Sequence, residues 1–189
     1  MDKGIIVVGY QGIGKSTISK NMFKCIDLES SNFWINGKRY DDWYIPYCNI
    51  ALHLAEQGYI VFTSSHAVVR EYLASRDTDI VLAVCYPDHN LKDKWIKKLE
   101  DRYNDTNLEK DYKAWKNAED RYDENIDELA NSENFCRIII TDESYELDVA
   151  VHTFDYISKH EYHELSHGIG YIQEGFNIAG PIKKVNRND

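Results

Sequence analysis

The residues with the clearest chemistry lie near the amino terminus, where positions 9–17 spell Gly-Tyr-Gln-Gly-Ile-Gly-Lys-Ser-Thr. Their spacing matches the phosphate-binding pattern G-x-x-x-x-G-K-[ST]. Glycines at three of these positions let the backbone curl, so that several N–H groups point into one concavity that can hold a phosphate. In such a loop Lys15 reaches the β- and γ-phosphates, and the Ser16 hydroxyl is a ligand for Mg²⁺. The expected ligands are therefore Mg²⁺ and ATP or a related nucleoside triphosphate.

The segments on either side of this phosphate-binding loop (residues 9–17) support the interpretation. An apolar, β-branched run at positions 4–8 predicts a strand buried on both faces, and positions 16–24 carry apolar residues at helical spacing. A glycine-rich turn without a ligand is the alternative, but strand, loop and helix follow in the order that phosphate binding needs. The residues of the loop predicted to bind the nucleotide are Gly9, Gly12, Ile13, Gly14, Lys15, Ser16 and Thr17.

Acidic side chains follow the second predicted strand, at positions 24–28. Asp27 and Glu29 lie at its carboxyl end, and in open α/β sheets the carboxyl ends of the strands face the ligand crevice. Two interpretations stay open: these acids contact a substrate hydroxyl or hydrated Mg²⁺, or they are ordinary loop acids. The third predicted strand ends in Ser64-Ser65-His66, which contains no carboxylate. The role of ordering Mg²⁺ would then pass to Asp27 or Glu29.

A basic stripe on a predicted helix is the third candidate. Lys94, Lys98 and Arg102 recur every four residues beside an apolar face of the same period. Cations that follow the carboxyl end of a strand can neutralise charge in phosphoryl transfer; the alternative is a solvated face balanced by nearby acids. We expect Arg102 to be the main contact, because a guanidinium can bind two phosphate oxygens at once. Since an exposed cation contributes little to folding, its removal should leave thermal stability nearly unchanged.

Five short apolar runs, separated by helical patterns, organise the chain. They fall at positions 4–8, 24–28, 59–63, 79–87 and 135–141. This alternation predicts βαβ units and a parallel sheet covered on both faces. The longest insertion, about residues 88–131, lies between the fourth and fifth strands and carries two amphipathic helical patterns. Residues 160–189 show no clear period and are expected to be irregular, and the whole chain, residues 1–189, fits a single domain.

Taken together, the loop, the five strands and the basic insertion resemble the nucleoside monophosphate kinase group of P-loop kinases, which includes adenylate, thymidylate, shikimate and gluconate kinases. The resemblance covers about residues 3–158. It implies a three-layer α/β P-loop NTPase fold with a five-stranded parallel sheet in the order 2-3-1-4-5 and a helical lid insertion between strands 4 and 5. It also implies ATP-dependent phosphoryl transfer to a small acceptor, with a nucleoside monophosphate as the first choice. Compact nucleotide kinases of this kind are frequent in bacteriophages.

The resemblance assigns roles to single residues. Lys94, Lys98 and Arg102 correspond to lid cations; Asp27, Glu29, Arg39 and Arg70 fall in the regions that bind the acceptor; Thr141 and Asp142 fall in the loop near the adenine. Catalysis is thereby assigned to Lys15, Asp27 and Arg102, and Lys98 and Thr141 join the nucleotide-binding set. The stripe departs from the paired arginines that members often carry, since two of its three residues are lysines. Signatures that would identify an adenylate, thymidylate or shikimate acceptor are missing from the sequence, so the acceptor stays open.

Composition narrows the class of protein. The net charge of −10 argues against a nucleic-acid surface as the main function, because such domains are usually basic. The four cysteines form no C-x-x-C pair and are expected to be reduced core thiols in a cytoplasmic protein. No apolar run approaches membrane-spanning length, so no membrane contact is expected. A homodimer is compatible with the sequence.

The sequence is compatible with three other functions. The first is a nucleotide-binding switch without a small acceptor, although the N-K-x-D motif of GTPases is absent from the sequence. A kinase acting on a polynucleotide end is another, if a narrow basic channel admits one strand. Finally, residues 163–167 spell His-Glu-Leu-Ser-His, the H-E-x-x-H pattern of zinc proteases. A third ligand is hard to supply there, because neither His nor Cys follows His167. The motif is therefore expected to bind metal adventitiously at most.

Overall fold

Helices and strands alternate along most of the chain, which gives an α/β structure. The computed structural model describes residues 3–36, 38–168 and 170–181. In chain order the elements are β1 (Ile5–Gly9), α1 (Lys15–Asn21), β2 (Cys25–Asp27), β3 (Trp34–Ile35), β4 (Lys38–Arg39), α2 (Tyr44–Glu56), β5 (Ile60–Thr63), α3 (Ala67–Ala74), β6 (Val81–Pro87), α4 (Lys92–Thr106), α5 (Glu109–Ala130), β7 (Cys136–Ile140), α6 (Leu147–His160), α7 (Tyr162–Ser166), β8 (Tyr171–Gln173) and β9 (Phe176–Ala179). Short 3-10 helices at Ser30–Phe33 and His89–Leu91 complete this set in the described ranges.

The main sheet has seven strands in the described residues, in the order β2-β5-β1-β6-β7-β9-β8. The strands β2, β5, β1, β6 and β7 are parallel to their neighbours, whereas β9 and β8 are antiparallel. The α/β class is confirmed, but the expectation of a five-stranded sheet is wrong. Because β1 is central and buried along its whole length, its sequence Ile-Ile-Val-Val-Gly is apolar without alternation.

The two extra strands come from the segment that was expected to be irregular. Leu165 of α7 and Phe176 and Ile178 of β9 are buried, while Ile172 of β8 is 88 % exposed. These elements are only three to five residues long, too short for a periodic pattern to be visible in the sequence. The strand β9 pairs with β7, and β8 pairs with β9; the sequence alone does not show these pairings. Residues 182–189 lie outside the described residues.

The lengths and buried faces of three helices depend on tertiary packing that the sequence does not show. Helix α1 ends at Asn21, and Phe23 beyond it is 88 % exposed. In α2 the buried side chains are Tyr47, Cys48, Ala51 and Ala55, so small residues face the sheet and Ile50 is exposed. Helix α5 is kinked at Arg121, whose φ of −139° and ψ of 27° are not helical. At its amino-terminal end, Leu108 and Tyr112 are exposed.

The helical insertion predicted between the fourth and fifth strands corresponds to α4 and α5, which follow β6 and precede β7. The face of α4 carrying Leu91, Trp95 and Leu99 is buried as predicted. All four cysteines are buried and unpaired, as expected of core thiols. In the described ranges the chain contains no helix with the length and apolar character needed to cross a membrane.

Candidate functional site

A cavity of about 1290 Å³ opens along the phosphate-binding loop. Its wall is formed by the loop, by Asp27 and Glu29 after β2, by Lys98 and Arg102 of α4, and by residues of the segment 143–152. Ligand sites commonly have volumes of about 300–1,000 Å³, so this cavity can hold a nucleotide and a second small molecule. The structure thus brings together the loop, the acidic strand end and two of the three stripe cations.

The phosphate-binding loop connects β1 to α1 in the predicted order. Gly12 and Gly14 have φ angles of 84° and 103°, a conformation that favours glycine over other residues. The carbonyl of Gly14 accepts the N–H groups of Thr17 (3.0 Å) and Ile18 (3.1 Å), which begins the helix. Because α1 has only seven residues, the groups available to an anion here would be the loop N–H groups and Lys15 rather than the end of a long helix.

Lys15 is folded back onto the loop that precedes it. Its Nζ donates to the carbonyl of Gly9 at 2.7 Å and lies 3.5 Å from the carbonyl of Tyr10. Burial lowers the pKa of Lys15, and the charge of Asp27 opposes this shift. A phosphate in the cavity would replace two neutral carbonyls by a full negative charge. Such a partner favours the charged form of the amine.

Ser16 and Asp27 form the second part of the site. The Ser16 hydroxyl donates to Oδ2 of Asp27 at 2.8 Å, and both residues line the cavity together with Glu29. Mg²⁺ in phosphoryl-transfer sites is usually held by one or two protein oxygens plus substrate phosphates. The described residues contain no group of three or more His, Cys, Asp or Glu that could hold a metal on its own. The oxygen donors of Ser16 and Asp27 therefore fit an ion that also needs phosphate ligands.

The stripe cations have different partners. Lys98 Nζ donates to the Tyr145 hydroxyl at 3.1 Å, and its pKa is lowered by loss of hydration and then by Arg102. Arg102 pairs with Asp111 at 3.0 Å, and both line the cavity. Lys94 instead pairs with Glu143 at 2.8 Å, and its side chain is 57 % exposed. Lys98 and Arg102 are thus the stripe residues on the cavity wall, and Lys94 lies outside it.

Arg39 belongs to a cluster next to the end of β5. Its guanidinium lies 2.7 Å from Nε2 of His66 and 4.4 Å from the ring centroid of Trp43. A guanidinium can only donate, so Nε2 of His66 accepts and its Nδ1 carries the proton, which bonds to Ser64 Oγ at 3.0 Å. Loss of hydration, Arg39 and Lys15 lower the pKa of His66 to about 4. Ser64 and His66 at the third strand end thus orient Arg39, and Arg39 lies beside the cavity rather than in its wall.

Two further predicted site residues also lie outside the wall in the described chain. Arg70 donates to the carbonyl of Glu128 at 2.7 Å and to Ser132 Oγ at 2.8 Å, so it ties α3 to the end of α5. Thr141 is exposed, and its N–H bonds to the carbonyl of Gly175 at 2.9 Å. Arg70 therefore has a packing contact in the structure, and its contact with an acceptor stays a prediction. Its partners are supplied by a helix 58 residues away in sequence, which sequence spacing could not indicate.

Sequence reasoning also missed several residues of the wall. Tyr145, Leu147, Asp148 and His152 line the cavity from the connection between β7 and α6 and from α6 itself. This segment follows the carboxyl end of a parallel strand, where ligand residues are expected. The predicted residues Thr141 and Asp142 lie just before the part of this segment that lines the cavity, which begins at Glu143.

The H-E-x-x-H segment forms α7 and the turn that follows. His163 and His167 have ring centroids 4.3 Å apart, and Nδ1 of His167 lies 2.7 Å from the carbonyl of His163. Within the described residues, the two histidines are not part of a group of three or more His, Cys, Asp or Glu side chains that could hold a metal ion. The nearby Glu161 accepts a hydrogen bond from Tyr171, which joins α7 to β8. This segment has a packing role in the C-terminal part of the fold.

No protein-family model matches the chain, and no curated protein matches it significantly. The function is therefore inferred from the site itself.

Proposed function

We propose that this protein is an ATP-dependent phosphotransferase that moves the γ-phosphoryl group to a small acceptor, with a nucleoside monophosphate as the first choice. The observation that carries the proposal is the single cavity shared by the phosphate-binding loop, the Ser16–Asp27 pair and two cations of α4. Parallel neighbours β2-β5-β1-β6-β7 in the main sheet and the helical insertion between β6 and β7 support the proposal. The acceptor-side candidates are Asp27 and Glu29 in the cavity wall, with Arg39 beside it.

In such a transfer the residues of the cavity would have different roles. The loop N–H groups and Lys15 would hold the β- and γ-phosphates, and Ser16 with Asp27 would hold Mg²⁺, which neutralises charge on the phosphate oxygens. The acceptor oxygen forms a bond to the γ-phosphorus while the bond to the β–γ bridging oxygen breaks, and ADP leaves. Lys98 and Arg102 stand where they can stabilise the charge on the transferred group. Little covalent chemistry is required of the protein itself.

The test is an ADP-release assay with Mg·ATP and a panel of nucleoside monophosphates, nucleosides and small hydroxy acids. We expect turnover with at least one acceptor. The Lys15→Ala variant should fold normally and be slower by at least about a hundredfold, the scale of losing one electrostatic stabiliser. A matched control is Lys97→Ala, because the Lys97 side chain is 62 % exposed on α4 and pairs with Glu100 and Asp101 of the same helix.

Two results would reject the proposal. Wild-type turnover in Lys15→Ala would show that the loop does not hold the reacting phosphates. Tight binding of Mg·ATP without turnover on any acceptor would instead support a nucleotide-binding switch.

A further inference from the structure

Two side chains from distant parts of the chain bind carbonyl groups of the phosphate-binding loop. Trp95 of α4 donates its indole N–H to the carbonyl of Gln11 at 2.9 Å. Tyr145, between β7 and α6, donates its hydroxyl to the carbonyl of Ile13 at 2.9 Å. The sequence separations are 84 and 132 residues. These contacts are therefore made by the tertiary fold and not by the loop itself.

The two side chains also contact each other. Their rings stack with centroids 6.0 Å apart and an interplanar angle of 27°. Trp95 is only 2 % exposed. A Cβ atom built on Gly12 would lie 3.2 Å from its indole nitrogen, so the ring is packed directly against the loop. The aromatic pair Trp95–Tyr145 is thus a wall that fixes one side of the loop.

The geometry of the peptide bond relates these carbonyl contacts to the directions of the loop N–H groups. In a planar trans peptide the C=O of one residue and the N–H of the next point in opposite directions. Holding the carbonyl of Gln11 therefore fixes the direction of the Gly12 N–H, and holding the carbonyl of Ile13 fixes that of the Gly14 N–H. Backbone N–H groups of this kind form the anion-binding concavity of a glycine-rich loop.

We propose that Trp95 and Tyr145 are positioning residues that aim the N–H groups of Gly12 and Gly14 at a bound polyphosphate. This inference rests on the proposed binding of a triphosphate in the loop. The same pair also positions Lys98, whose ammonium bonds to the Tyr145 hydroxyl and lies 4.3 Å from the ring centroid of Trp95. One aromatic pair thereby sets both the backbone donors and one cation of the cavity wall.

The chain contains a matched control for this arrangement. Tyr103 and Trp115 stack with centroids 5.8 Å apart and an interplanar angle of 19°, and Lys116 lies 4.7 Å from the centroid of Trp115. This second pair joins α4 to α5 and is not part of the cavity wall in the described chain. It has the same chemistry of two stacked rings and a lysine, whereas the loop carbonyls of Gln11 and Ile13 accept their hydrogen bonds from Trp95 and Tyr145.

The experiment is isothermal titration of the full chain with Mg²⁺ and inorganic tripolyphosphate, which probes the phosphate cradle without a nucleobase. Tyr145→Phe and Trp95→Phe each keep an aromatic ring and remove one donor. We expect each to bind tripolyphosphate about three- to tenfold more weakly, the scale of one lost hydrogen bond. Tyr103→Phe and Trp115→Phe should bind as the wild type does. The unfolding midpoint of every variant is measured alongside, and Tyr145→Phe, which loses a single oxygen atom, serves if Trp95→Phe folds poorly.

A second readout separates positioning from a merely structural role. In the ¹⁵N-resolved NMR spectrum, tripolyphosphate should shift the amide proton signals of Gly12 and Gly14 in the wild type, and less so in the two variants. Wild-type affinity in both variants, or equal losses in the control variants, would overturn the inference while leaving the proposed function intact. Absence of any tripolyphosphate binding by the wild type would overturn both.

Discussion

Replacing Arg102 by alanine is expected to weaken the fold as well as the chemistry. The guanidinium pairs at 3.0 Å with Asp111, whose side chain is 7 % exposed. The other oxygen of that carboxylate accepts the Thr106 hydroxyl at 2.7 Å. Without Arg102 the buried carboxylate keeps the Thr106 hydroxyl as a neutral partner and loses its ion pair. The sequence-based expectation of an unchanged stability is therefore revised.

The size of the loss follows from the burial of the two partners. Removing one partner of a fully buried ion pair costs about 3–5 kcal/mol. The Arg102 side chain is 39 % exposed, so water can reach the carboxylate in the variant and screening reduces the cost. We expect about 1–3 kcal/mol in the free energy of unfolding, the range for leaving a buried polar group unsatisfied. For a chain of this length a loss of about 2 kcal/mol lowers the unfolding midpoint by about 4–8 °C.

The assay is thermal and urea unfolding of Arg102→Ala, Asp111→Asn and the double variant. The double variant should lose less than the sum of the single losses, with a coupling energy above about 0.5 kcal/mol. Lys97→Ala, on the same helix but with exposed partners, should leave the midpoint unchanged. If Arg102 also contacts the phosphates in the transition state, kcat and kcat/KM of Arg102→Ala should fall together. An unchanged midpoint in Arg102→Ala, or additive losses in the cycle, would refute the reasoning.

Three further predictions concern packing and protonation. Arg70→Ala should lower the free energy of unfolding by about 1–3 kcal/mol, because Arg70 holds the end of α5, and should leave the KM for the acceptor unchanged in the ADP-release assay; a raised KM would restore its acceptor role. Gly12→Ala should destabilise the chain more than Gly168→Ala in a thermal-shift assay: both positions have positive φ, but only at Gly12 would the new Cβ meet neighbours, Leu99 at 3.0 Å and Trp95 at 3.2 Å. Equal midpoints would contradict the close packing of the loop. The pKa of His66 is lowered from 6.5 to about 4 on folding, so the unfolded state binds more protons between these values and stability falls as the pH drops through this window. A His66→Asn variant should lose less stability than the wild type between pH 6.5 and 4, as followed by urea unfolding; parallel losses would show that His66 is not responsible.

The strands around the loop were predictable because each rests on local sequence. Buried parallel strands are continuous apolar runs: β5 and β6 fall within the runs at positions 59–63 and 79–87, and β1 overlaps the run at 4–8 and ends one residue later, at Gly9. The position and conformation of the loop between β1 and α1 were predictable because they rest on a local glycine motif, with positive φ at Gly12 and Gly14. The buried face of α4 followed from a period of four residues. These features need no knowledge of distant parts of the chain.

The features that could not be predicted depend on long-range partners. The strand β9 of the β8–β9 hairpin pairs with β7 at the edge of the parallel strands. The sequence of residues 171–179 does not indicate which strand they pair with. The kink at Arg121 interrupts the regular helical period of α5, and the spacing of apolar residues in the sequence does not reveal it. The partners of Arg70 and Tyr145 are equally remote. Sequence spacing singled out charged residues but could not tell a packing contact from a place in the cavity wall.

The most direct test of the central claim is a crystal structure with Mg²⁺ and a non-hydrolysable ATP analogue. The account predicts that the triphosphate lies in the phosphate-binding loop, that Lys15 leaves the carbonyls of Gly9 and Tyr10 to contact it, and that Ser16 turns from Asp27 to the metal. It also predicts an unfilled part of the cavity beside the γ-phosphate, near Asp27 and Glu29, where an acceptor fits. An analogue bound elsewhere, or a Lys15 still bonded to Gly9 with the loop empty, would contradict the account.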